Sequence, residues 1–130
     1  MPKIFKYYRW VTRRVRVSLK GRRTEYLKHK EAARALAYAR LEFFNTHYKF
    51  KIGRIAIRNQ KSRWGSCSRR GNLNFNYKIA LLKPWLLDYI IVHELCHIAE
   101  FNHSSDFWML VAQTIPNWHQ LRGELKKLRL

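Results

Sequence analysis

The chain has 130 residues, 47% hydrophobic and 15% aromatic, with 27 Lys and Arg against 8 Asp and Glu for a net charge of +19. That apolar fraction excludes disorder, the length excludes two independent cores and predicts a single domain over residues 1–130, and Cys67 and Cys96 are too few for a disulfide framework. They read as free thiols of a reducing compartment, and with neither a leader nor an apolar run of the ~18 residues a membrane span needs, a soluble cytoplasmic protein is expected.

Residues 1–23 are the most basic part of the chain. Eleven Lys and Arg fall between Lys3 and Lys30, where Glu25 is the only acid, so polyanions such as nucleic acid are candidate partners. Alternating valines, arginines and aromatics from Tyr8 to Leu19 read as one or two short strands turned at Lys20-Gly21. From about Thr24 or Lys28 to His47, apolar residues Ala33, Leu36, Ala37, Leu41, Phe44 and Tyr48 recur at three- and four-residue steps. They predict a long amphipathic helix packed on a sheet.

Phe50–Ile52 and Ile55–Ile57 alternate on opposite parity, which predicts a strand bent or bulged at Gly53. Ser62–Ser68 and Asn72–Tyr77 form a hairpin across Arg69-Arg70-Gly71, with Leu73, Phe75 and Tyr77 on the core face and Asn72, Asn74 and Asn76 on the polar face. Pro84 suits a first helical turn, and Trp85 to about Glu100 continues without a breaker. Ser104 or Ser105 can cap a further helix to about Thr114, Pro116 ends it, and a last helix starts near Trp118.

His93-Glu94-Leu95-Cys96-His97, with His103 beyond it, carries the chemistry. On a helix the i and i+4 histidines share a face, and Glu94 lies about 100° around from His93, beside the metal position without ligating. Three neutral nitrogens leave one zinc position open, and a carboxylate there takes a proton from a metal-activated water. The helix is nearly apolar all round through Ile90, Ile91, Val92, Leu95 and Ile98, so it is expected to be buried, where a metal is the simplest partner for two histidines.

His103 follows His97 by six residues, the metzincin interval, but Glu100 stands where those sites use a turn glycine. Asn102 in the left-handed conformation is expected to make the turn instead. Glu100, Asp106, His119 and Glu124 remain rival third ligands. Cys96 points away from the histidine face and reads as a small buried hydrophobe, and Met109 reads as core.

Gln60-Lys61-Ser62-Arg63-Trp64-Gly65-Ser66-Cys67, Leu87 to His97, Asn102-His103-Ser104 and Phe107-Trp108 together resemble the YgjP-like metallopeptidase domain, a zincin group related to the SprT-like and WLM proteins. The resemblance runs from about Lys28 to near Leu128 and departs at the N-terminus, where only about Lys3 to Arg23 precedes the long helix. It implies an α+β, zincin-like fold: the long helix on a small twisted sheet, an active-site helix carrying the motif, and C-terminal helices. It also implies zinc on His93, His97 and His103, Glu94 as catalytic acid/base, and a peptide or protein substrate. By analogy with zincins, the strand around Trp64, Gly65, Ser66 and Cys67 is expected to hold that substrate.

Tyr77, His119 and Arg63 are candidates by residue type to steady an oxyanion, and Asp88 and Glu100 to orient the histidines. Activity beside nucleic acid would suit the charge, as SprT-like relatives act on DNA-bound proteins. The alternative function is a basic nucleic-acid-associated module whose zinc is structural or inactive.

Overall fold

The computed structural model describes residues 23–128. The strands expected between Tyr8 and Leu19 and the turn at Lys20-Gly21 lie outside the described residues. Helix α1 (Arg23–Tyr48) buries His29, Ala33, Leu36, Ala37, Leu41 and Phe44 along one stripe, the three- and four-residue spacing of a core-facing helix. It ends at Lys49, whose φ of 59° is the only positive value for a non-glycine among the described residues. Asn45 secures that end: its side-chain amide donates to Phe50 O at 2.9 Å and its side-chain oxygen accepts from Phe50 N at 2.9 Å.

Strand β1 is only Ile55–Arg58, so the strand predicted from Phe50 is shorter than its alternation implied. Phe50 N and O are taken by the Asn45 side chain in place of a neighbouring strand. Gly53 N donates to Gly71 O at 2.8 Å, and a β-carbon on Gly53 would sit 2.3 Å from Asn72 Oδ1. The glycine therefore brings the chain hard against the hairpin, and regular pairing starts beyond it.

Strands β2 (Gly65–Cys67) and β3 (Leu73–Asn76) pair antiparallel, with Gly65 opposite Phe75 and Cys67 opposite Leu73. β1 runs parallel to β3, giving the order β1-β3-β2 and leaving β2 at an edge. Gly71, with φ of 81°, makes the turn. Leu73, Phe75 and Tyr77 are fully buried, as their alternation required. Asn76 departs from the expected polar face: it is buried, donates to Gln60 O and Arg63 O at 2.8 and 2.9 Å, and accepts from Lys78 N at 3.0 Å. One asparagine thus caps the 3-10 turn Tyr77–Leu81 and pins the loop that leads into β2.

Helix α2 (Pro84–Cys96) is buried nearly all round. It packs against α1, β2 and the two short C-terminal helices, α3 (Ser105–Ala112) and α4 (Trp118–Lys126). Arg40 of α1 donates to both oxygens of Asp88 on α2, at 2.8 and 3.1 Å, a bidentate pair worth about 1 kcal/mol at this partial exposure. Ser104 caps α3, while Met109 is 67% exposed and is not core. Phe107 and Val111 face inward one helical turn apart, and Met109, two residues on from Phe107, projects to the opposite side.

The result is an α+β fold, four helices and a three-stranded sheet among the described residues. No helix among them is long and apolar enough to cross a membrane.

Candidate metal centre

His93 lies in the last turn of α2, His97 is the residue that caps it, and His103 returns one residue before the Ser104 cap of α3. The three Nε2 atoms converge: His93 to His97 is 3.2 Å, His97 to His103 is 3.1 Å, and His103 to His93 is 3.2 Å. Hydrogen bonding alone does not explain the cluster. His97 Nδ1 lies 2.9 Å from Glu100 O, and a carbonyl only accepts, so that nitrogen carries the ring proton and Nε2 of neutral His97 presents a lone pair. Three imidazole edges within van der Waals contact around one point fit a cation. Their separations match a tetrahedral site with bonds of ~2.0–2.1 Å, whose ligand atoms lie about 3.3 Å apart.

Burial tunes these rings for that task. His93 is held far below the ordinary histidine range, at about 3, first by burial and then by the neighbouring His97, His103 and Arg122. His97 is lowered by burial, with the Glu100 carbonyl opposing and His103 adding. Neutral imidazole is therefore the resting state of both, and neutral imidazole is what a metal binds.

The turn between His97 and His103 is not made by a left-handed Asn102. Instead α2 closes with short i→i+3 bonds, Ile98 N to Leu95 O and Ala99 N to Cys96 O, both 3.1 Å. Aromatic rings then hold the returning segment. Phe107 stacks on His97 at 4.3 Å between centroids, Trp108 stacks on His103 at 5.8 Å, and Trp118 stacks on Trp108 at 4.0 Å.

Glu94 is 7% exposed and faces the edge strand. A β-carbon on Gly65 would lie 3.0 Å from Glu94 Cγ and 3.2 Å from its Oε2. Burial pushes the carboxyl up to about 8, against the pull of Arg63, so it is poised to exchange a proton near neutrality. β2 runs beside it with its outer edge unpaired among the described residues.

The other sequence candidates are distributed away from the histidines or reach them differently. Glu100 contributes its main-chain carbonyl to His97 rather than its carboxylate. Asp88 is engaged by Arg40, Glu124 accepts from Trp85 Nε1 at 3.3 Å, and Asp106 and His119 are exposed. Tyr77 is fully buried against Tyr26 and His29 of α1, and Cys96 is fully buried. Arg63 does line the cleft in front of His93 and Glu94.

Two residues there escaped the sequence reading. Tyr89 places its hydroxyl 3.3 Å from His93 Nδ1. Its position one turn before His93 was a usable signal. Arg122 of α4 also lines the cleft and lies 5.4 Å from the Trp108 ring, which no local pattern announces.

None of the curated proteins matches the chain. Among solved structures, the chain is similar to the crystal structure of the metallopeptidase zymogen of Pyrococcus abyssi abylysin, at 22% identity and a TM-score of 0.64 over 70% of this chain and 92% of that one. The likeness supports the shared α+β fold. The family model of the YgjP-like metallopeptidase domain matches residues 5–128, and the chain therefore belongs to the YgjP-like metallopeptidase family.

Proposed function

We propose that the protein is a zinc-dependent peptidase in which His93, His97 and His103 hold the metal and Glu94 is the catalytic acid/base. The single observation that carries this reading is the convergence of three Nε2 atoms at 3.1–3.2 Å beside the buried carboxyl of Glu94. Three nitrogen donors with no fourth protein ligand among the described residues favour zinc with an open position.

Zinc, when bound, supplies a Lewis acid that activates water and polarises the scissile carbonyl. Glu94 takes the proton of the attacking water and returns it to the departing amine, so its carboxyl begins and ends the cycle in the same state. The edge strand from Trp64 through Gly65 and Ser66 to Cys67 receives an extended peptide by main-chain pairing, which lays the scissile bond beside Glu94. Arg63, at the entrance, is the candidate to steady negative charge on the carbonyl oxygen.

The test is bound-metal analysis together with peptidase assay. Wild type is expected to hold one zinc per chain and to cleave an unstructured protein substrate. Glu94→Gln should keep the zinc and lose about 10²–10⁴-fold in kcat, and full activity in that variant would overturn the assignment. Action beside nucleic acid is a second reading, supported by the +19 charge. Affinity for DNA or RNA that did not weaken with salt would count against it.

A further inference from the structure

The cleft in front of His93 and Glu94 has a volume of about 550 Å³ and is lined by Lys61, Arg63, Arg122 and Lys126 as well as by apolar side chains of α2 and α4. Glu94 is the only acid on its wall, so the four cationic side chains face a single carboxyl. Among the described residues, none of the four cations forms an ion pair with a carboxylate, because the ion pairs there are Glu25 with His29, Glu31 with Arg34 and Asp88 with Arg40. The cations come from both sides of the cleft. Lys61 and Arg63 precede β2, and Arg122 and Lys126 stand one turn apart on α4.

We propose that this cleft is a carboxylate-recognising subsite and that the preferred substrates are acidic peptides. The inference rests on the peptidase reading for its site and adds the substrate class. Four like charges converging on a concave, partly apolar wall raise the local potential, and the field is focused where a substrate side chain would enter. A carboxylate there gains from several cations at once, and Arg122 offers a planar fork suited to bidentate pairing. An acidic peptide is favoured over a polynucleotide because the cleft is a pocket bounded by β2 and α4, suited to one or two side chains beside a strand-paired backbone. The same chemistry could come from an Asp or Glu side chain or from a C-terminal carboxylate.

Three dansyl-labelled octapeptides separate these sources: one bearing Glu at alternate positions with an amidated C-terminus, its Gln counterpart, and the Gln peptide with a free C-terminus. Binding is measured by fluorescence with the full-length, zinc-loaded protein, and cleavage of the same peptides is followed separately. The Glu peptide is expected to bind at least tenfold more tightly than the amidated Gln peptide. A gain confined to the free C-terminus would support carboxylate recognition and assign it to the chain end. Arg122→Gln and Lys126→Gln should each reduce the preference about threefold, and the double variant should abolish it. Arg70→Gln, an exposed residue of the hairpin turn, should leave it unchanged.

Equal affinity for all three peptides would overturn the proposal. So would a loss with Arg70→Gln as large as with the cleft variants, since the effect would then belong to net charge. Displacement of the Glu peptide by a single-stranded oligonucleotide at lower concentration than by unlabelled Glu peptide would also overturn it, in favour of nucleic acid. Selective binding without cleavage would leave the subsite standing and sink the peptidase reading, so the two fail separately.

Discussion

Gly65 and Glu94 are in contact across β2 and α2, so close that a side chain at position 65 would meet the Glu94 Cγ at 3.0 Å and the main-chain oxygen of Asn74 at the same distance. The glycine is therefore set by the carboxylate and by the strand pairing together. Gly65→Ala forces either β2 off β3 or Glu94 away from the histidines. We predict a fall in kcat of roughly tenfold or more with zinc content unchanged, because neither movement disturbs an imidazole. Measuring kcat, KM and bound metal on one preparation checks it, and unaltered kcat would show that Glu94 does not need this seat.

Tyr89 fixes the rear nitrogen of His93 as the Glu100 carbonyl fixes that of His97. Hydrogen bonds behind a ligand hold its ring orientation and tautomer, and losing one typically weakens metal binding by about 10–100-fold. Tyr89→Phe should raise the zinc dissociation constant by about tenfold, read by competition with a chromogenic chelator. The melting temperature of the metal-free protein should change little, since the ring itself stays packed.

The stability of the metal-free protein should fall as pH rises above about 6.5. His93, lowered from 6.5 to about 3, binds fewer protons folded than unfolded across that window, so stability rises with pH there. His97 acts in the same direction. Glu94, raised from 4.5 to about 8, binds more protons folded than unfolded, so its contribution falls with pH between those values. Below 6.5 the histidines oppose the glutamate, and above it Glu94 acts alone, at up to about 1.4 kcal/mol per pH unit. Urea denaturation from pH 4 to 9 reads the profile, and Glu94→Gln should remove the decline on the alkaline side.

The thiols should be unreactive. Burial and then the Glu94 charge push Cys67 up to about 11, and burial pushes Cys96 up to about 12. At pH 8, alkylation of either should be roughly 100-fold slower than of a free cysteine. Cys67, the less buried of the two, should react first, and faster in Glu94→Gln, where the neighbouring charge is gone. A rapidly labelled thiol in the folded protein would contradict both assignments.

Why some features were legible in sequence and others were not follows from where their causes lie. Ala33, Leu36, Ala37, Leu41 and Phe44 announce α1 because a helix must turn its buried stripe inward every three or four residues. Leu73 and Phe75 announce β3 for the equivalent reason at period two. Gly53 was legible as a break but not as the start of pairing, because its partner, Gly71, lies eighteen residues on. Met109 was misjudged because a continuous apolar run hides which face turns outward. The histidine spacing displayed the cluster, whereas the turn that returns His103 depends on rings from α3 and α4 and was assigned to the wrong residue.

That dependence makes the last prediction. His103 is exposed and follows a segment with no left-handed residue to fix its course, so its position rests on the stack of His103 on Trp108 and Trp108 on Trp118. Removing the outermost ring should loosen the third nitrogen while His93 and His97, seated on α2, stay in place. Trp118→Ala is expected to weaken zinc about tenfold and to lower the melting temperature of the zinc-loaded protein more than that of the metal-free protein. Trp118→Phe keeps a stacking ring and should restore most of the affinity. His103→Ala sets the limit, since Trp118→Ala acts through His103 and should add little on top of it. Independent, additive losses in the double variant would show that Trp118 supports the fold in general and not this ligand.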